Sequence, residues 1–141
     1  MSDTLREMCK SLRLAYVADI YDQIPYESAD QFLEAVFKEE FRLREEAKVQ
    51  RLIKKARFLD TKTLANYEWH EQIRFPGHID KDGLQSLSFI ENRENVVLIG
   101  SPGTGKSHLG SGLGRKACEH GYEVRFFRVA ELVERLETAC L

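Results

Sequence analysis

The sequence predicts an α/β fold, with a helical region over residues 1–62 followed by the first part of a three-layer αβα sandwich over residues 63–141. Three observations predict it: apolar residues recur at helical spacing through the first 56 positions, an unbroken aliphatic run stands at Val96-Val97-Leu98-Ile99, and a glycine-rich loop with helix-compatible sequence behind it follows that run. The chain has 141 residues, 43% hydrophobic and 31% charged, the proportions of an ordinary globular protein with room for one domain and a helical appendage. No run approaches the ~18 apolar residues that a bilayer span needs. Charges are spread through the first twenty residues, where a leader would have a basic tip and an apolar block, so the expected location is cytoplasmic, without membrane association.

Thr4 with Glu7 forms a capping-box pattern, and Leu5, Met8, Cys9, Leu12, Tyr16 and Ile20 extend it as one helix until Pro25. Ser28 with Gln31 repeats the start signal for a long second helix, whose apolar positions run from Phe32, Leu33, Val36 and Phe37 to Leu52, Ile53 and Ala56. From Phe58 to about Pro76, cap and turn residues alternate with the large rings of Tyr67, Trp69 and Phe75, which reads as a connector. Asp82 with Gln85 opens a short helix carrying Leu84 and Leu87, closed by Asn92-Arg93-Glu94-Asn95. Val96–Ile99 then reads as a parallel strand covered on both faces. A helix from His108 to His120 with Gly121 at its end, a strand Tyr122–Val129 and a helix Ala130–Leu141 complete the chain.

The net charge of −2 is unevenly distributed: residues 1–40 carry −5, residues 41–62 carry +5 and residues 63–141 carry −2. Within the basic segment Arg44, Lys48, Arg51 and Lys55 are spaced four, three and four apart, one stripe of a helix. Cations so aligned suit the phosphate backbone of DNA, although a solvated helix face is the more frequent meaning of a single charge run. Cys9, Cys118 and Cys140 are odd in number and far apart, and His70, His78, His108 and His120 lack ligand spacing, so neither a disulfide framework nor a zinc site is indicated.

Gly100-Ser101-Pro102-Gly103-Thr104-Gly105-Lys106-Ser107 satisfies G-x-x-x-x-G-K-[ST] at every fixed position. Small residues allow consecutive backbone N–H groups to curl around a phosphate at a helix N-terminus, where the dipole also favours negative charge. Lys106 would then reach the β- and γ-phosphates of a nucleotide, and the Ser107 hydroxyl would ligate Mg²⁺; His108, in the first turn behind the loop, is counted with the site. Hydrolysis needs, in addition, a carboxylate that orders the metal and another that activates water, and no apolar strand ending in Asp-Glu lies between Ser107 and Leu141.

Asn95–Leu109, Gly121–Phe126 and Ala130–Val133 resemble the corresponding stretches of the IstB-like ATP-binding proteins, AAA+ helper ATPases of insertion-sequence transposition related to helicase loaders of the DnaC type. Lys55-Ala56-Arg57-Phe58, Thr63–Trp69 and Phe89-Ile90-Glu91 extend the resemblance upstream, so it covers nearly the whole chain. It implies a P-loop AAA+ domain binding ATP with Mg²⁺, N-terminal helices that contact DNA or a transposase, and a homo-oligomer in the full-length family. It also implies a chain cut off before the Walker B strand and arginine finger. Gly110 and Gly112 stand where that family favours alanine. Two other functions fit the residues: a non-hydrolysing DNA-binding or interaction fragment, and a small-molecule P-loop kinase, for which little sequence remains downstream to build an acceptor site.

Overall fold

Residues 3–140 are described by this computed structural model, and their regular structure is helical throughout. They divide into two compact units within one long helix, one up to Gln50 and the other from Arg51.

In the first unit, α1 (Asp3–Ser11) stops where Arg13 takes a left-handed φ of 55°. The Leu14 N–H donates to the Cys9 carbonyl at 2.8 Å and the Arg13 N–H to that of Lys10 at 3.1 Å, the paired bonds that close a helix around a left-handed residue. The expected single helix is therefore two, with α2 (Val17–Ile20) leading into a 3-10 turn at Tyr21–Gln23. Glu40 of α3 (Ala29–Ala56) ties these pieces down. Only 3% exposed, its carboxylate accepts the N–H groups of Tyr16 and Val17, each at 3.1 Å, and the Nε–H of Arg44 at 2.7 Å. A buried charge without such partners would be costly, and here both oxygens are used. The expected cap at Ser28 is present: its Oγ accepts the Gln31 N–H at 3.3 Å, and α3 then runs unbroken for 28 residues.

In the second unit α3 ends at Ala56, followed by Arg57 at φ 59°. The core gathers Leu84, Leu87, Leu109, Leu113 and Ala117, with Leu64, Tyr67, Trp69, Phe75 and Leu98 packed around them. Fully burying each leucine contributes about 1.5–3 kcal/mol. Of the first pair of leucines, Leu84 lies in the short helix α4 (Lys81–Gln85), and Leu87, at a left-handed φ of 62°, immediately precedes the short helix α5 (Ser88–Glu91). Their start lies earlier than Asp82: Asp80 caps α4, its Oδ1 accepting the Gly83 N–H at 2.7 Å. α6 (Lys106–Glu119) supplies the others, and Gly121, at φ 86°, closes it as expected, with the Tyr122 N–H donating to the Ala117 carbonyl at 3.0 Å. α7 (Val129–Ala139) follows; Leu141, where that helix was expected to end, lies outside the described residues.

The two expected strands are not formed: among the described residues there is no strand, so the expected αβα sandwich is not confirmed. A strand needs partners on its edges to take its N–H and C=O groups, and the sequence run alone supplies none. Residues 96–99 and 122–128 do not pair with one another; the Phe126 N–H donates instead to the carbonyl of Ala56 at 2.9 Å, at the end of α3. Coverage on both faces fails too, since Val97 is 77% and Ile99 92% exposed, while Leu98 packs against the core.

All three cysteines are free; Cys9 and Cys118 are buried and Cys140 is exposed. Burial also pushes the Cys118 thiol above its ordinary range. Because the thiolate is the reactive form, maleimide at neutral pH is expected to modify Cys140 rapidly and Cys118 only on unfolding. Loss of the rapid phase in Cys140→Ser, read by intact mass, checks this; rapid modification of Cys118 in the native protein would contradict the packing of α6.

Candidate nucleotide-binding site

The loop Gly100–Ser107 sits between the Leu98 contact to the core and the first turn of α6. Two of its glycines have backbone conformations that side chains disfavour, Gly103 at φ 79° and Gly105 at φ 88°. At Gly105 there is a second constraint. A Cβ there would stand 3.2 Å from the Tyr67 ring, so the absence of a side chain lets the connector close over the loop.

Lys106 folds back across that loop. Its ammonium donates to the carbonyls of Gly100 and Ser101, both at 2.7 Å, and lies 3.5 Å from the Thr104 hydroxyl, which itself donates to the Ser101 carbonyl at 2.8 Å. The loop is thus wrapped around its own lysine. The first N–H group of α6 to find a backbone acceptor is that of Leu109, on Gly105 at 2.9 Å. Those of Lys106, Ser107 and His108 precede it at the positive end of the helix, and the Ser107 side chain is exposed.

One wall of the site was missed by sequence reasoning. A cavity of about 770 Å³ is lined by the loop and by connector residues that include Asn66, Tyr67, His70 and Arg74. Tyr67 meets His108 edge-on, with ring centres 5.2 Å apart, and Trp69 edge-on at 4.9 Å. His108 is turned toward the connector as well, its Nε2 2.8 Å from the Thr63 carbonyl. That contact makes its ring a tie between α6 and the connector. The clue in the sequence was three large rings in an otherwise polar stretch, which had to be packed somewhere.

The four cations of the expected stripe lie on α3 in different surroundings. In the first unit, Arg44 is engaged by Glu40 and by the Arg13 carbonyl, and Lys48 lies 4.0 Å from Glu45. In the second, Arg51 has no ion pair among the described residues, and Lys55 pairs with Glu123 at 2.7 Å. Glu123 also meets Arg125 at 3.1 Å. The hydrogen bond and charge of Lys55 first, and the charge of Arg125 after it, hold the Glu123 carboxyl below its ordinary range.

No helix among the described residues is long and apolar enough to cross a membrane. Residues 8–140 match the family of IstB-like ATP binding proteins. Over 99% of this chain there is 28% identity to a Geobacillus stearothermophilus protein named for ATP binding in insertion sequence IS5376, of which 57% is covered. A Pseudomonas aeruginosa protein named likewise for insertion sequence IS21 is 33% identical over 77% of this chain and 41% of its own length. A Mycobacterium tuberculosis insertion-sequence protein is 26% identical over 94% of this chain and 55% of its own. The chain therefore spans about half the length of the relatives it matches.

Proposed function

Because this chain belongs to the family of IstB-like ATP-binding proteins, we propose that it binds ATP with Mg²⁺ through Gly100–His108 and serves as a helper of DNA transposition. The observation that carries the reading is the closed loop around the Lys106 ammonium at the N-terminus of α6. That geometry fits a nucleotide: phosphate oxygens can replace the carbonyls of Gly100 and Ser101 on the ammonium, while the free N–H groups of the first turn supply further donors. Ser107 is the residue that would hold the metal, whose charge would offset that of the phosphates. Titration calorimetry of the full chain with Mg-ATP tests the reading; absence of heat and of any protection against thermal unfolding would overturn it.

The relatives named for insertion sequences support association with the transposition machinery; a transposase as partner, DNA as the substrate of the pair and a homo-oligomeric assembly belong to the same proposal. In this reading residues 1–62 form the DNA- or partner-binding region and residues 63–141 belong to a P-loop AAA+ domain. Val96–Ile99 and Tyr122–Val129 would become strands only when paired within its αβα sheet. The DNA contacts proposed are Arg44, Lys48, Arg51 and Lys55. Lys48 and Arg51 are the less engaged pair, so neutralising each to glutamine is expected to lower the salt slope of duplex binding by about 0.9. Equilibrium binding across a salt series reads this, and an unchanged slope in the double variant would reduce the stripe to a solvated face.

A further inference from the structure

Away from the nucleotide loop, the second unit holds another concavity of about 580 Å³, between the end of α3 and the stretch from Arg125 to Arg135. Six of its ten lining residues are cationic. Lys55 and Arg125 share the Glu123 carboxylate at its edge, and Arg125 also donates to the Lys55 carbonyl at 2.7 Å. The side chains of Arg51, Lys54 and Arg57 have no hydrogen bond or ion pair among the described residues, and all three residues are exposed. Arg135 lies over the Phe127 ring, 5.2 Å from its centre, and 3.7 Å from Glu131, the sole acidic residue of the lining. Three unpaired cations converging on one hollow repel one another, and an anion entering it relieves that repulsion.

We propose that this pocket is a phosphate-backbone site for single-stranded nucleic acid, separate from the nucleotide loop. Several cations at successive positions suit a chain of phosphates better than one isolated phosphate group. The hollow suits a thin, flexible strand better than the convex surface of a duplex. Phe126 and Phe127 add apolar ring surface beside the cations, the combination with which single strands are held independently of their sequence. The proposal takes its ligand class from the transposition reading and rests on it to that extent. It differs from the α3 stripe in that Lys54, Arg57 and Arg135 belong to the pocket alone.

The test is fluorescence anisotropy of a labelled 15-nucleotide dT strand and of a labelled duplex, without ATP, from 50 to 200 mM salt. The full chain is compared with the triple variant Lys54→Gln/Arg57→Gln/Arg135→Gln and with Arg44→Gln/Lys48→Gln. The pocket variant is expected to bind the dT strand at least ten-fold more weakly and with a salt slope smaller by about 2, since each phosphate that a cation neutralises on a single strand adds about 0.7 to the slope. The Arg44/Lys48 variant is expected to lose more affinity for the duplex than for the dT strand, the reverse of the pocket variant. The single variant Lys54→Glu, at an exposed position, keeps the test open should removal of the Arg135 guanidinium from the Phe127 ring disturb α7; it too is expected to weaken dT binding. Parental dT affinity and slope in the folded variants would overturn the pocket and leave the transposition reading standing. So would a parent chain that binds the duplex and not the dT strand. Binding of neither probe would overturn both.

Discussion

Replacing Lys106 with alanine is expected to weaken Mg-ATP binding more than ten-fold, at least ~1.4 kcal/mol, in a chain that remains folded. The ammonium is the side-chain cation placed inside the loop, 2.7 Å from two of its carbonyls, and truncation removes that charge-assisted donor from the phosphates. A Lys106→Arg variant sharpens the test. It keeps the charge, yet a planar guanidinium cannot enter a ring closed around a compact ammonium without opening it, so nucleotide affinity should fall there as well. Titration calorimetry gives the affinities, and far-ultraviolet circular dichroism checks that α6 persists. Parental affinity in folded Lys106→Ala would remove the loop from the account of nucleotide binding.

The elements that were legible in the sequence are those whose signals are local. α6 and its stop at Gly121 follow from a glycine-rich entry, an apolar periodicity and a residue free to take φ 86°. The Ser28 cap is of the same kind. The stop at Arg13 was not legible, because an arginine at φ 55° carries no local signature and depends on bonds back to Cys9 and Lys10. Val96–Ile99 has the composition of a buried strand, but a strand is a property of a pair, and here Val97 and Ile99 are exposed. The candidate site divides along the same line. Its loop was readable as a motif, whereas the closure of Tyr67 over Gly105 and the pairing of Lys55 with Glu123 join residues tens of positions apart.

Gly112→Ala is expected to destabilise the second unit by about 1–2 kcal/mol, against the direction that helix propensity alone would give. In an open helix interior, alanine is favoured over glycine by roughly 0.5–1 kcal/mol, which is the expected gain for Gly110→Ala, where a Cβ meets nothing within 4 Å. At Gly112 the same methyl would lie 2.9 Å from both the backbone N and the Cδ2 of Leu64. A leucine tip can turn aside; a backbone nitrogen moves only with its neighbours. Those neighbours include Thr63, whose carbonyl holds His108, and Tyr67, whose ring covers Gly105. The strain is therefore passed into the wall of the nucleotide site, and Mg-ATP affinity should fall together with stability, while Gly110→Ala raises stability and leaves affinity alone. Urea unfolding and calorimetry on the two variants separate these effects. A Gly112→Ala chain as stable as Gly110→Ala would mean that the connector does not rest on α6 at Leu64.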